Sequence, residues 1–174
     1  MSLLLAGFGG QGILFAGKVI AYTGLLEEKN VSWLPSYGPE MRGGTCNCSV
    51  RFSEDPIGSP LVLEPNVLIA MNKPSLEKFI NNIEPGGMVI YDSSLIDTKV
   101  TRDDIDVFPV DATRIAEDNG VKGLANIILV GKLLKESGFS TVENVDAGIV
   151  HSVPASKPQM VDFNRKALQL GMNS

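Results

Sequence analysis

Two cysteines and one histidine are the only thiol and imidazole side chains in 174 residues. A single iron–sulfur cluster needs about four cysteine ligands, so the chain is expected to carry no such cluster and no metal. Cys46 and Cys48 stand two apart in an alternating segment. On a strand they point to the same face and are too close to favour an unstrained disulfide. They read as structural residues of a reducing, cytoplasmic compartment. His151 has no cysteine or carboxylate cluster around it in sequence, which leaves no Ser-His-Asp arrangement and makes it a surface or structurally satisfied residue. A basic excess is also missing. With 15 basic against 20 acidic residues and a net charge of −5, the chain lacks the cationic field that nucleic-acid phosphates require. Long apolar runs are absent as well: Ile127-Ile128-Leu129-Val130 falls far short of the roughly 18–20 residues of a membrane span. The opening residues, Met1 to Gly7, carry no basic leader and read as a first strand, not a signal peptide.

What is present fits an ordinary globular domain. Hydrophobic residues make up 44% and charged residues 20%, and the length suits one domain, residues 1–174, with a real core. Short apolar runs at Ser2–Gly7, Val31–Leu34, Val67–Ala70, Met88–Tyr91 and Val107–Val110 read as buried strands. Cys46–Phe52 alternates in a half-exposed pattern and, following Val31–Leu34 after only a loop, is a candidate antiparallel strand. Helices are predicted over Ile13–Leu26, Ser75–Asn82, Ala112–Asn119, Leu124–Glu136, Val142–Val150 and Lys157–Leu170, with Gly171 as the stop of the last. Strands alternating with helices imply a single-domain, Rossmann-like α/β fold: a largely parallel, mixed sheet with helices on both faces.

Gly7-Phe8-Gly9-Gly10-Gln11-Gly12 satisfies G-x-G-x-x-G between a strand and a helix. Glycines let a backbone approach a ligand closely, and exposed amides at a helix start suit an anion. The alternative is a tight turn with no ligand. A dinucleotide site would add an acid at the end of the second strand, where this chain has Trp33-Leu34-Pro35-Ser36; Glu27 and Glu28 precede that strand. No Gly-Lys-Ser or Gly-Lys-Thr follows the glycines, which excludes a P-loop. The segment Pro35-Ser36-Tyr37-Gly38-Pro39-Glu40-Met41-Arg42-Gly43-Gly44 holds two prolines and three glycines, so it should end the preceding strand and form a preorganised loop. Arg42 there is either a phosphate ligand or the partner of Glu40 in a weak surface pair.

The glycine turn followed by Pro-Ser-Tyr-Gly-Pro-Glu-Met-Arg-Gly-Gly resembles the gamma subunit of the 2-oxoacid:ferredoxin oxidoreductases. The similarity continues through Ile57-Gly58-Ser59-Pro60, through Pro65-Asn66 and the apolar strand behind it, and through Ala116 to Leu124-Ala125-Asn126. The Tyr-Gly-Pro-Glu-Met-Arg wording is most like the 2-oxoglutarate type. The resemblance implies a non-autonomous subunit of an enzyme that oxidises a 2-oxoacid to an acyl-CoA and carbon dioxide, passing electrons to ferredoxin. It implies alpha, beta and delta partner subunits, with thiamine diphosphate and [4Fe-4S] clusters on those partners and a share of the coenzyme A site on this chain. Carried over by position, that share is Gly9, Gly10, Gln11 and Gly12 of the turn, Arg42 and Gly43 of the loop, and Asn126 at a helix start. Tyr37 and Glu40 are expected to line the same cleft or orient Arg42. No catalytic residue is implied. One departure is that the single-chain pyruvate enzymes place lysines where this chain has Met41-Arg42. The alternative function is a stand-alone nucleotide- or dinucleotide-binding domain.

Overall fold

The computed structural model describes residues 1–36 and 45–174. Six strands form one mixed sheet: β1 (Ser2–Phe8), β2 (Asn30–Ser36), β3 (Thr45–Ser53), β4 (Val67–Ala70), β5 (Met88–Asp92) and β6 (Asp106–Val110). Among the described residues six α-helices accompany it: α1 (Ile13–Leu26), α2 (Lys73–Phe79), α3 (Ala112–Asp118), α4 (Ala125–Ser137), α5 (Val142–Ser152) and α6 (Met160–Met172). The spatial order is β2-β3-β1-β4-β5-β6. β1, β4, β5 and β6 run parallel, while β3 is antiparallel to both β1 and β2.

Alternation along the strands sorts the core onto two faces. Leu3, Leu5, Val67, Ile69 and Ile90 join Cys46, Cys48, Val50 and Phe52 in a large cluster beneath α1 and α4. Leu4, Leu68, Ala70, Val89 and Tyr91 face the other way, where Leu76 and Phe79 of α2 cover them. The mixed sheet with helices on both faces is as the sequence predicts. Both cysteines are free and buried on the α1 face. Cys48 donates to the Ile13 carbonyl, and burial pushes its thiol up to about 12.

Three expectations need correction. The second strand does not stop before Pro35 but runs to Ser36, with Pro35 opposite Cys48. β2 is an edge strand, and a proline, which has no N–H to give, is tolerated there. The helix predicted from Ser75 begins at Lys73, since Asn72 caps it by accepting from the Ser75 N–H and a proline near a helix start forgoes no bond. Gly171 does not stop the last helix. It lies inside α6, and a Cβ there would run into the Ile128 carbonyl oxygen of α4. Gly131 of α4 faces the Leu168 backbone in the same way, so this glycine pair lets two helices cross in backbone contact.

Candidate functional site

The parallel strands end together. β1 leads through α1 to β2 on one side, and β4 leads through α2 to β5 on the other. The order therefore reverses between β1 and β4, and the crevice beyond the carboxyl ends of such strands is where open α/β sheets take ligands. The glycine turn sits in this crevice. Gly10 and Gly12 have φ of 95° and 75°, which side chains rarely adopt. Gly9 and Gly10 are exposed, and a Cβ on Gly10 would meet nothing.

Gln11 ties the turn to the sheet through its side chain. Its side-chain oxygen accepts from the Phe8 N–H at 2.6 Å and from the Asn72 amide at 3.4 Å. Its amide nitrogen donates to the Met71 carbonyl at 2.9 Å. The side chain is thus committed to pinning the turn to the end of β4, and its contribution is to hold Gly9, Gly10 and Gly12 in place.

Asn126 reaches the same turn from α4. Its amide nitrogen donates to the Gly12 carbonyl at 3.0 Å, and a Cβ on Gly12 would strike that amide. The residue is only 2% exposed, and its carbonyl oxygen Oδ1 has no hydrogen-bond partner. Such an orphaned buried acceptor is uncommon. The starts of α1 and α4 also share an electrostatic character: neither has a side-chain cap or an acidic residue in its first turn. Of the other helices, α2 is capped by Asn72, α5 by Thr141, and α6 has Asp162 in its first turn; α3 lacks both, but its Thr113 N–H is taken by Asp92. The unmet N–H groups of α1 and α4 leave positive potential beside the glycine turn. A cavity of about 230 Å³ adjoins it, lined by Gly10, Gln11, Met71, Ala116 and Ala125, with Thr113, Glu117, Lys122 and Gly123 completing the wall.

Met71, Asn72, Thr113 and Lys122 were missed in the sequence. The only signal among them was Asn72 two residues before Pro74, a helix-start pattern. Buried Asp92 at the end of β5 positions Thr113 by accepting from its hydroxyl and its N–H. Tyr37, Glu40, Arg42 and Gly43 lie outside the described residues. The flanks of their segment are anchored at this end of the sheet, since Thr45 pairs with Phe8 and Ser36 with Asn47. Glu27 is not a ribose ligand: it accepts from Ser140 and Asn144 and ties the end of α1 to α5. Among the described residues no group of three or more His, Cys, Asp or Glu side chains could hold a metal ion, and no helix is long and apolar enough to cross a membrane.

Residues 2–174 match the family model described as pyruvate ferredoxin/flavodoxin oxidoreductase. The chain belongs to that family. It is 35% identical over 153 residues to the 2-oxoglutarate synthase subunit KorC of Methanocaldococcus jannaschii, covering 86% of this chain and 82% of the relative. It is 35% identical over 167 residues to the ketoisovalerate oxidoreductase subunit VorA of Methanothermobacter marburgensis. That match covers 96% of this chain but only 35% of the relative, so the chain spans about a third of that protein's length. Among solved structures, the keto/oxoacid ferredoxin oxidoreductase gamma subunit from Geobacter sulfurreducens superposes with a TM-score of 0.83 at 25% identity, covering 99% of this chain and 96% of that one. The 2-oxoglutarate:ferredoxin oxidoreductase from Magnetococcus marinus, solved with 2-oxoglutarate, coenzyme A and succinyl-CoA bound, superposes with a TM-score of 0.87 at 20% identity over 99% of this chain and 30% of that one. At that identity the likeness speaks for the fold.

Proposed function

We propose that this chain, a single domain over residues 1–174, is the gamma subunit of a cytoplasmic 2-oxoacid:ferredoxin oxidoreductase and supplies part of its coenzyme A site. The observation that carries this reading is the joining of two uncapped helix starts and an orphaned Asn126 acceptor around an open glycine turn. Coenzyme A fits that chemistry. Its phosphates suit the unmet N–H groups of α1 and α4, and an N–H or hydroxyl of the ligand, or a water it carries, suits the Asn126 oxygen. Gly9, Gly10, Gln11, Gly12 and Asn126 would hold it together with Arg42 and Gly43, and Tyr37 and Glu40 would line the cleft or orient Arg42. Coenzyme A supplies the thiol that takes up the acyl group. Decarboxylation at thiamine diphosphate and electron transfer through [4Fe-4S] clusters would fall to the alpha, beta and delta partner subunits. Two cysteines are fewer than the four thiolates a cluster uses.

The relatives at 32–35% identity divide between 2-oxoglutarate and ketoisovalerate as substrate, and others at 27% act on indolepyruvate. The reading favours 2-oxoglutarate, because the 2-oxoglutarate relative corresponds to this chain over most of both lengths whereas the ketoisovalerate relative does so over a third. Co-expression with the partner subunits, followed by dye reduction against a panel of 2-oxoacids, decides it. Coenzyme A-dependent turnover is expected, with 2-oxoglutarate preferred. In that complex Arg42→Ala should raise the KM for coenzyme A by roughly tenfold to 150-fold, the worth of one charge-assisted bond, and leave the 2-oxoacid KM unchanged. Micromolar NAD binding by the chain alone, with no 2-oxoacid turnover in the complex, would replace this reading by the dinucleotide one.

A further inference from the structure

α1 is unlike the helix of a solvent-facing surface. Its sequence, ILFAGKVIAYTGLL, contains no acidic residue, and Lys18 is its only charge. One side packs into the core through Ile13, Ala16, Val19 and Ile20. The opposite side is apolar too. Leu14, Lys18, Tyr22 and Leu25 follow at intervals of four, four and three residues, which places them on one stripe of a helix. Leu14 leans on the core cluster and Tyr22 stacks on His151 of α5, both half-buried, while Leu25 at 55% and the adjoining Leu26 at 43% stay exposed. A helix that is apolar all round is ordinarily buried all round. In the isolated chain this one is not.

The charge on the stripe selects what covers it. Lys18 lies 5.6 Å from the centre of the Tyr22 ring and has no salt bridge among the described residues. Burying that ammonium against another apolar surface without a counter-charge would be costly. A second copy packed through the same helix brings another Lys18 and no carboxylate from α1 itself; of the acids that follow, Glu27 is bonded to Ser140 and Asn144 and Glu28 stands ten residues beyond Lys18. The occupant must bring one.

We infer that the outer stripe of α1 is a docking face for a different polypeptide, one that offers an apolar surface with a single carboxylate placed against Lys18. The proposal rests on the reading that this chain works within a multi-subunit enzyme, and it adds which face meets a partner and what chemistry that partner carries. Because α1 begins at the glycine turn, a partner seated along it adjoins the ligand crevice.

The test is association, read apart from catalysis. The full chain and its Leu25→Asp, Lys18→Glu and Glu77→Lys variants are titrated into the partner subunits and followed by analytical ultracentrifugation, with circular dichroism melts to check folding. Glu77 is an exposed residue of α2, on the other face of the sheet, and serves as control. Leu25→Asp and Lys18→Glu are each expected to weaken association at least tenfold with unchanged melting, and Glu77→Lys to leave it unchanged. Wild-type association by both stripe variants would overturn the proposal. So would self-association of the chain alone that Leu25→Asp abolishes, since a second copy would then cover the face. The functional reading is judged separately, by 2-oxoacid turnover in the wild-type complex, so an inactive complex that still responds to the stripe variants sinks that reading and not this one.

Discussion

The glycines of the β1–α1 turn and those of the α4–α6 crossing are the same residue used for opposite physical reasons. At the turn, Gly10 and Gly12 hold positive φ, and Gly10 has open space before it. At the crossing, Gly131 and Gly171 sit in ordinary helix, where a side chain is normally welcome, and what they provide is room for the opposite backbone. The first pair shapes an exposed turn at the end of β1, and the second shapes the core. A glycine count does not separate these uses; the space around each glycine does.

Alanine substitutions separate them. Gly171→Ala should have the largest effect, because the new methyl collides with the Ile128 backbone, which cannot rotate away. A net loss of about 2 kcal/mol is expected after the gain in helix propensity is offset, a fall of roughly 4–8 °C in Tm. Gly131→Ala should behave alike. Were Gly171 merely a helix stop, alanine would be neutral, so a thermal melt tests the corrected assignment. Gly12→Ala should cost about 1–2 kcal/mol from left-handed backbone strain and the push against Asn126. Part of that should return in the Gly12→Ala/Asn126→Ala double variant, since neighbouring residues couple. Gly10→Ala should cost only about 1 kcal/mol, the strain alone. If Gly10→Ala destabilises as much as Gly171→Ala, the distinction between the two pairs fails.

The smallest effect concerns acid. Hydrogen bonds from Ser140 and then Asn144 hold the Glu27 carboxyl below its ordinary value of 4.5. A depressed folded-state pKa gives stability that is complete above the unfolded value and is lost as pH falls through the folded one. Stability should therefore decline below about pH 4.5, helped by Asp146, which Arg165 holds low. Glu27→Gln should flatten this acid limb slightly in urea melts repeated from pH 6 to pH 3, without altering stability at neutral pH by more than the loss of one surface-facing network.

Local pattern carried most of the fold into view. β1, α1 and β4 were legible because period and punctuation agreed within a few residues. β2 was cut short because Pro35 was read without knowing that its strand lies on an edge, a fact of topology. The beginning of α6 was placed at Lys157, where Lys157 and Pro158 instead form turns leading to Met160. At the site, Gly10, Gly12 and Asn126 were legible by motif and by resemblance. The tie from Gln11 to Met71 and Asn72 was not, since it joins residues 60 and 61 apart in sequence. The motif states where Gln11 stands, not what its side chain bonds to.

The two prolines at the margins of the sheet, Pro35 on β2 and Pro109 on β6, bear on the chain's life before assembly. Each interrupts an outer strand where a stray strand would otherwise add itself. Under the proposed docking, a copy made ahead of its partner is thereby shielded from ordered, fibrous stacking while the apolar side of α1 stays bare. Surplus chain should consequently clump as amorphous deposits lacking cross-β diffraction, and timely supply of the covering polypeptide should keep it in solution.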